Sequence, residues 1–486
     1  MIHFSIAVDH DVIVVGGGPA GAATAAHLAR EGLDVVVFDR YKFPRDKVCG
    51  DFVGPGALVE LKSLGITNEP QYKRTNKIRD AALFLDGRQL IVQSLPEIDG
   101  LPTYGRTIPR LLFDEWVLGA ARRAGAEVLE QSRVTGFERD RAGVTVHAEV
   151  DGRSITRRAK VVVGADGSSS TVAKLLRGHS PPKDDRIMAV RIYVSGITGP
   201  SDQADLYFNG ESFPGYYWLF PTGHGEANLG LGMLLATIPP STEGLRDLLV
   251  RLVQTDAALA ERLGGHEMSG RIVGWPLTTY NPKLGLVDDR VVLVGDAAGL
   301  INPLNGEGIQ YALQSGRWAA EAILAGLQAG DVSAAALRPY QAQVSRELRY
   351  DMALAGTVVQ LIRNRSLNPV WLEALRIIVA RAKHDPDYAQ IVGGILAGLV
   401  PASSAISVEV VRSTVEQVAM SLVGHVVWNG IRGPRHLADV GANVARIGAT
   451  MLWETSGDPV GLAGWGIGLA QQLSELGSQA AKAIVS

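Results

Sequence analysis

Residues 11–40, "DVIVVGGGPAGAATAAHLAREGLDVVVFDR", decide the fold. Residues 12–15 and 35–38 are unbroken apolar runs, the pattern of parallel strands buried on both faces, and an alanine-rich stretch of helical spacing lies between them. The reading is strand, turn, helix, strand. Gly16, Gly18 and Gly21 place G-x-G-x-x-G on the turn, and Pro19 and Ala20 open the helix. The first glycine permits the turn, the second lets backbone approach a pyrophosphate, and the third lets helix and strand pack closely. The phosphates then meet a helix N-terminus, whose free N–H groups and dipole favour anions. Asp39 ends the second strand 18 residues past Gly21, with Arg40 beside it, where a carboxylate accepts from ribose hydroxyls. A dinucleotide is expected, and this motif alone leaves FAD and NAD both open.

Around this unit the chain reads as a folded protein of several domains: 486 residues, 46% hydrophobic and 20% charged. Forty-seven basic and fifty acidic residues give a net charge of -3 with no block of one sign, so no nucleic-acid partner is expected. The single cysteine, Cys49, cannot form an intrachain disulfide, which fits a reducing compartment, the cytoplasm. The N-terminal "MIHFSIAVDHDVIVVGGG" lacks a basic n-region and runs into the glycine turn, so it reads as a strand. Ten histidines are scattered without ligand spacing, and neither a metal nor an acyl-enzyme is expected.

Two later segments repeat the logic of the first. In "VVLVGDAAGLINPLNGEGIQYALQSGRWAAEA", 291–322, a buried strand leads to Gly295 and Asp296, then to a turn holding Gly306 and Gly308, then to a helix opening at Ile309. FAD has a ribityl chain and an isoalloxazine to place beyond its ADP half. Asp296 would accept a ribityl hydroxyl, and the helix start near 306–309 would face the flavin pyrimidine, where negative charge develops on reduction. "VVVGADGSSS", 161–170, is another strand ending in a turn, with Asp166 and Gly167 placed to close over the cofactor; by itself it also reads as an Asp-Gly hairpin.

In this order and spacing the three motifs resemble the FAD-dependent oxidoreductases that share the fold of para-hydroxybenzoate hydroxylase. "FPRDKVCGD" at 43–51, "PGYYWLFPTG" at 214–223 and "NPLNGEGI" at 302–309 narrow the resemblance to the geranylgeranyl reductase family, over roughly residues 10–400. Flavin halogenases of the same fold usually carry Gly-Glu-Ser where this chain has Cys49, Gly50 and Asp51. The arginine that often follows the "DG" serines is replaced by Ala173 and Lys174. The resemblance implies an α/β fold: a Rossmann-type FAD-binding domain assembled from 1–75, 105–185 and 275–350, an antiparallel-sheet substrate domain from 76–104 and 186–274, and a C-terminal helical region over 351–486. It further implies reduction of isoprenoid double bonds by hydride from reduced flavin, with NAD(P)H or a ferredoxin as electron donor and a prenyl lipid as partner.

The site residues follow from residue pattern and resemblance together. Tyr216, Trp218 and Phe220 alternate, so they share one strand face, which Pro221 is expected to end. They form either an aromatic core stripe or, as the resemblance implies, the wall of a prenyl tunnel. By resemblance the turn of Lys47, Cys49 and Gly50 approaches the isoalloxazine. Cys49 then serves as thiolate, proton donor or packing group, and Lys47 either lowers its pKa or holds FAD phosphate. Arg110 matches the family arginine that contacts FAD; its residue-level alternative is a solvated helix arginine. Residues 391–431 hold only Glu409, Arg412 and Glu416 as charges, so this tail either caps the core, extends the tunnel or makes a peripheral contact with a membrane surface, with tryptophans at 428, 453 and 465. Two rivals remain: a flavin monooxygenase or halogenase acting on an aromatic or polyketide substrate, and a non-catalytic flavin scaffold.

Overall fold

The computed structural model describes residues 9–396 apart from 183–184, 240–243, 266–267, 269 and 366–367. The decisive unit is present as strand His10–Val15, helix Pro19–Arg30 and strand Val35–Phe38. Its strands are parallel neighbours, and the long strand Arg153–Gly164 lies parallel on the other side of the first. Val291–Leu293 and Glu127–Leu129 extend the sheet in both directions. Burial on both faces explains the apolar runs: Val12, Ile13, Val14, Val36 and Val37 have no exposed surface.

The alanines of Pro19–Arg30 serve close packing against helices Ile309–Ala329 and Arg110–Ala124. A Cβ on Gly316 would stand 2.6 Å from the Ala20 carbonyl oxygen, so the two helices touch backbone to backbone. That contact fixes the N-terminus of Ile309–Ala329 beside the glycine loop.

The second sheet has seven strands in the order Val273–Thr278, Arg186–Ser195, Glu226–Leu234, Tyr216–Gly223, Gln203–Phe208, Asp80–Leu85, Arg88–Ser94. It is antiparallel at every joint except one, Gln203–Phe208 beside Asp80–Leu85, which is parallel. Period-two alternation sorts its faces. Tyr217, Leu219, Leu229, Leu231 and Met233 pack under helix Leu245–Thr255, while Tyr216, Trp218 and Phe220 point to the opposite, cavity side. Pro221 does not end its strand. It sits within Tyr216–Gly223 at a bulge, where pairing passes from Pro221 with Ala227 to Gly223 with Glu226.

Helices Ala334–Ile362, Asn368–Ala382 and Pro386–Leu396 complete the described C-terminal part. No helix among the described residues is long and apolar enough to cross a membrane. The tail expectations for residues 397–486, including the three tryptophans, lie outside the described residues.

Candidate active site

The glycine loop divides into positions the fold demands and one it does not. Gly16 has φ +108°, and a Cβ there would stand 2.3 Å from the Ala165 carbonyl oxygen; one on Gly21 would stand 1.9 Å from the Gly16 carbonyl oxygen. Gly18 is different. Its φ of −68° and ψ of 180° suit any residue, and a Cβ would meet only the Arg45 guanidinium, at 3.6 Å. A glycine that neither backbone nor packing requires is explained by a group approaching from the cavity.

Asp39 is buried and accepts from Gly17 N–H and Tyr41 N–H, each at 2.8 Å. Arg40 lies over the Tyr41 and Trp275 rings at 4.7 and 5.8 Å. Asp166 lines the same cavity, but its carboxylate is occupied in holding the start of helix Thr171–Arg177, accepting from Ser170 Oγ, Thr171 N–H and Val172 N–H. The turn at Gly167, whose φ is +81°, borders the same cavity.

Segments 43–51, 161–170 and 291–322 converge on one carboxylate. Asp296 accepts from Lys47 Nζ at 3.2 Å and Ser168 Oγ at 3.3 Å. Gly295, at φ +56°, leaves room for Ala20, whose Cβ would stand 2.7 Å from an added one. Gly306 (φ +72°), Gly308 and Ile309 bring the start of helix Ile309–Ala329 to the cavity wall. Glu307 also lines it, accepts from Gln310 N–H at 2.8 Å, and is held above the usual carboxylate range by burial.

Lys47 therefore does not act on Cys49 as the sequence suggested. Its ammonium is engaged by Asp296, and the cation facing the thiol is Arg110. Nor is Arg110 solvated: it is 3% exposed and donates to Asp114 through Nε at 2.6 Å and Nη2 at 2.7 Å. Arg45 shares Asp114 at 3.1 Å, stacks on Phe43 at 4.7 Å, and leaves its buried Nε without a partner. It is the cation beside Gly18.

Charged residues of the Cys49 turn are thus each tied to a different part of the molecule. Arg45 goes to the helix Arg110–Ala124, Asp46 to Arg191 on the second sheet, and Lys47 to Asp296. Asp51, at φ +63°, takes the Tyr193 hydroxyl at 2.6 Å and the Asn228 amide at 2.8 Å. Burial pushes the Asp51 carboxyl up to about 6, against the pull of those two hydrogen bonds and of Arg191 and Arg110. Burial likewise raises the Cys49 thiol, with Arg110 opposing. That shift favours the thiol over the thiolate, and Cys49, half-buried, accepts the Asp51 N–H at 3.4 Å through Sγ.

Trp218 lies across the neighbouring strand: a Cβ on Gly230 would stand 2.2 Å from its indole, and the indole Nε1–H donates to Asn228 Oδ1 at 3.0 Å. Tyr216 donates its hydroxyl to the Asn305 carbonyl, and Phe220 packs at 5.9 Å from Phe52. A Cβ on Gly50 would meet Phe220 at 3.1 Å and Trp218 Nε1 at 3.4 Å, so the turn and the aromatic strand are in contact. One cavity of about 1070 Å³ runs from Gly18 past Cys49 and Trp218 to Leu375 and Val392.

Comparison with known proteins agrees with this geometry. The family described as FAD binding domain matches residues 9–247. Menaquinone reductase of Mycolicibacterium smegmatis is 33% identical over 322 residues, covering 65% of this chain and 76% of that protein. Digeranylgeranylglycerophospholipid reductase 1 of Methanothermobacter thermautotrophicus is 32% identical over 342 residues, covering 70% of this chain and 83% of that protein. The chain belongs to the geranylgeranyl reductase family of FAD-dependent oxidoreductases. The crystal structure of a geranylgeranyl bacteriochlorophyll reductase-like protein from Thermoplasma acidophilum shares this chain's fold, with TM-score 0.62 and 23% identity, covering 85% of this chain and 98% of that one.

The residues present fit FAD. The open space over Gly18 and the unpartnered Arg45 Nε suit a pyrophosphate, Asp39 a ribose and Asp296 a ribityl chain. The start of Ile309–Ala329 suits the electron-accepting edge of a flavin. Sequence reasoning missed Arg45, Asp51, Asn228 and Glu307. Only Asn228 left a periodic trace, in "NLGLG", where polar and glycine positions share one strand face.

Proposed function

We propose that this reductase saturates carbon–carbon double bonds of an isoprenoid chain. The division of charge along the cavity carries the reading. Charged lining residues come from the segments that build the dinucleotide end, whereas among the described residues the second sheet and the helices after Ala334 line it with none. Ile78, Leu83, Ile91, Leu206, Ile378 and Val379 give that end an aliphatic wall. A substrate matching it is a long hydrocarbon, each buried CH₂ of which contributes roughly 0.8 kcal/mol. Digeranylgeranylglycerophospholipid names an isoprenoid lipid outright, and menaquinone is a quinone bearing an isoprenoid side chain.

FAD held by these residues would, when reduced, supply a hydride, with NAD(P)H or a ferredoxin as the electron source. Tyr216, Trp218 and Phe220 hold the alkene against the flavin and exclude water. Cys49 keeps a proton on Sγ because burial raises its pKa, and it delivers that proton to the second alkene carbon. The sulfur retains the S–H electron pair as a thiolate facing Arg110 and regains a proton from water, so the alkene gains one hydride and one proton. The lipid arrives from a bilayer.

The test is anaerobic incubation of the holoprotein with dithionite and a geranylgeranyl lipid, followed by mass spectrometry. The expected product is heavier by two hydrogens for each reduced bond. Unchanged lipid, with oxygen consumption coupled to hydroxylation or halogenation of an aromatic acceptor, would replace this reading with the monooxygenase one.

A further inference from the structure

Strand Glu226–Leu234 pairs with the aromatic strand so that Tyr216 faces Gly232, Trp218 faces Gly230 and Phe220 faces Asn228. Two of the three partners have no side chain, and the indole of Trp218 occupies the space over Gly230. The third carries an amide whose every hydrogen-bonding group is used. Asn228 Oδ1 accepts from the Trp218 indole at 3.0 Å, and Nδ2 donates to the Cys49 carbonyl and to Asp51 Oδ2, each at 2.8 Å. The residue is fully buried.

We propose that Asn228 is the positioning residue of the reductase site, joining the Cys49 turn to the Trp218 indole so that thiol and aromatic wall hold one spacing across the cavity. Asn228 does not border the cavity itself and acts through the two groups that do. An amide is the side chain that fits: its oxygen takes the indole N–H, and its two N–H groups take two acceptors on the turn. Aspartate of the same shape offers no donor when ionised, and leucine offers neither function. The inference rests on the proposed reaction only for the meaning of that spacing.

Because Cys49 is the one cysteine of the chain, its reactivity reads the position of the turn directly. The FAD-loaded protein, with Asn228→Leu and Asn228→Asp variants, is treated with a dipyridyl disulfide and the single label is followed by intact mass. Loss of two amide hydrogen bonds releases the turn, and labelling of Asn228→Leu accelerates about tenfold or more. Asn228→Asp accelerates similarly above neutrality but returns toward the wild-type rate near pH 5, where the new carboxyl is protonated and donates again. The groups around it are Asp51 and Cys49 on the turn, Tyr193 and Arg191 on the neighbouring strand, Trp218, and Arg110 from its helix. Simple loosening of the fold would not be restored by acid. Should both variants lose FAD, Trp218→Phe removes the indole N–H together with the second ring, and labelling rises about threefold if the coupling runs through the amide. Rates within twofold of wild type in the variants that hold FAD overturn the proposal. Accelerated labelling in a protein that reduces no prenyl lipid would retain Asn228 as the clamp and overturn the substrate reading instead.

Discussion

Gly18→Ser separates what the fold needs from what the cofactor needs. The N-cap position of helix Pro19–Arg30 is held by Gly18 with no side-chain cap, at a φ and ψ that serine adopts freely. In the apoprotein the new hydroxyl can cap the helix, a gain of a few tenths of a kcal/mol over glycine. The stiffer unfolded chain adds about 0.4–1 kcal/mol. At about 2–4 °C per kcal/mol, apo Gly18→Ser should melt roughly 1–5 °C above apo wild type. The holoprotein should respond in the opposite sense. The added carbon stands where the structure has only the Arg45 guanidinium, at 3.6 Å, and crowding of this kind costs about 1–3 kcal/mol. Affinity for FAD should fall by roughly 5- to 150-fold. Flavin absorbance after gel filtration and flavin titration of the apoprotein measure the loss, and differential scanning calorimetry the gain. Gly21→Ala is the control. Its Cβ at 1.9 Å from the Gly16 carbonyl oxygen should destabilise apo and holo forms alike. A Gly18→Ser protein that binds FAD as wild type does, or whose apo form melts below apo wild type, would refute the reasoning.

Four further outcomes are expected. Cys49→Ser should keep FAD and lower alkene reduction, and the wild-type rate should hold through neutrality and fall only as rising pH removes the thiol proton, since burial raises that pKa; equal turnover in Cys49→Ala would leave packing alone. Asp51 has a folded pKa of about 6 against 3.8 for the free side chain, so the folded protein binds the extra proton and this group favours folding more as pH falls from about 6 toward 3.8; Asp51→Asn should remove that slope from the melting profile, and an unchanged slope would assign it elsewhere. Arg45→Met should weaken FAD binding by about tenfold or more through loss of a charged phosphate contact, measured by flavin titration, whereas Lys47→Met should cost less because Lys47 is engaged by Asp296. Gly230→Ala should displace the Trp218 indole, whose nearest atom is 2.2 Å from the new Cβ, destabilising by about 1–3 kcal/mol in a denaturant melt and slowing turnover more than it weakens FAD binding.

The dinucleotide unit was legible because its determinants are local: strand burial, turn conformation and helix start all lie within residues 11–40. The shared face of Tyr216, Trp218 and Phe220 was legible for the same reason, since alternation needs only one strand. The partner of Lys47 was not legible because charge pairing depends on what arrives from elsewhere. That partner, Asp296, lies 249 residues away, and nothing near Lys47 in sequence distinguishes it from Arg45. The bulge at Pro221 belongs to the same class. Proline signals a missing donor, and whether the strand ends or bulges is decided by the strand opposite. Asp166 follows the motif in position, yet its carboxylate is drawn into capping the next helix by Ser170 and Thr171. Asn228 could have been sought in the "NLGLG" alternation, where Leu229 and Leu231 fill the core face and leave Asn228, Gly230 and Gly232 on the face of Tyr216, Trp218 and Phe220.

The ties that hold the Cys49 turn also set when the site can exist. Arg45, Asp46, Lys47 and Asp51 wait on Asp114, Arg191, Asn228 and Asp296. On a translating ribosome moving at about 5–20 residues per second, the 249 residues between Lys47 and Asp296 take roughly 12–50 s to emerge. Until then the glycine loop can form its strand and helix, but the turn that presents the thiol still lacks its Asp296 anchor. Flavin capture should therefore be a late event in the life of each nascent chain, following synthesis of Asp296 and the helix behind it. Chains stalled short of that point should leave the ribosome colourless.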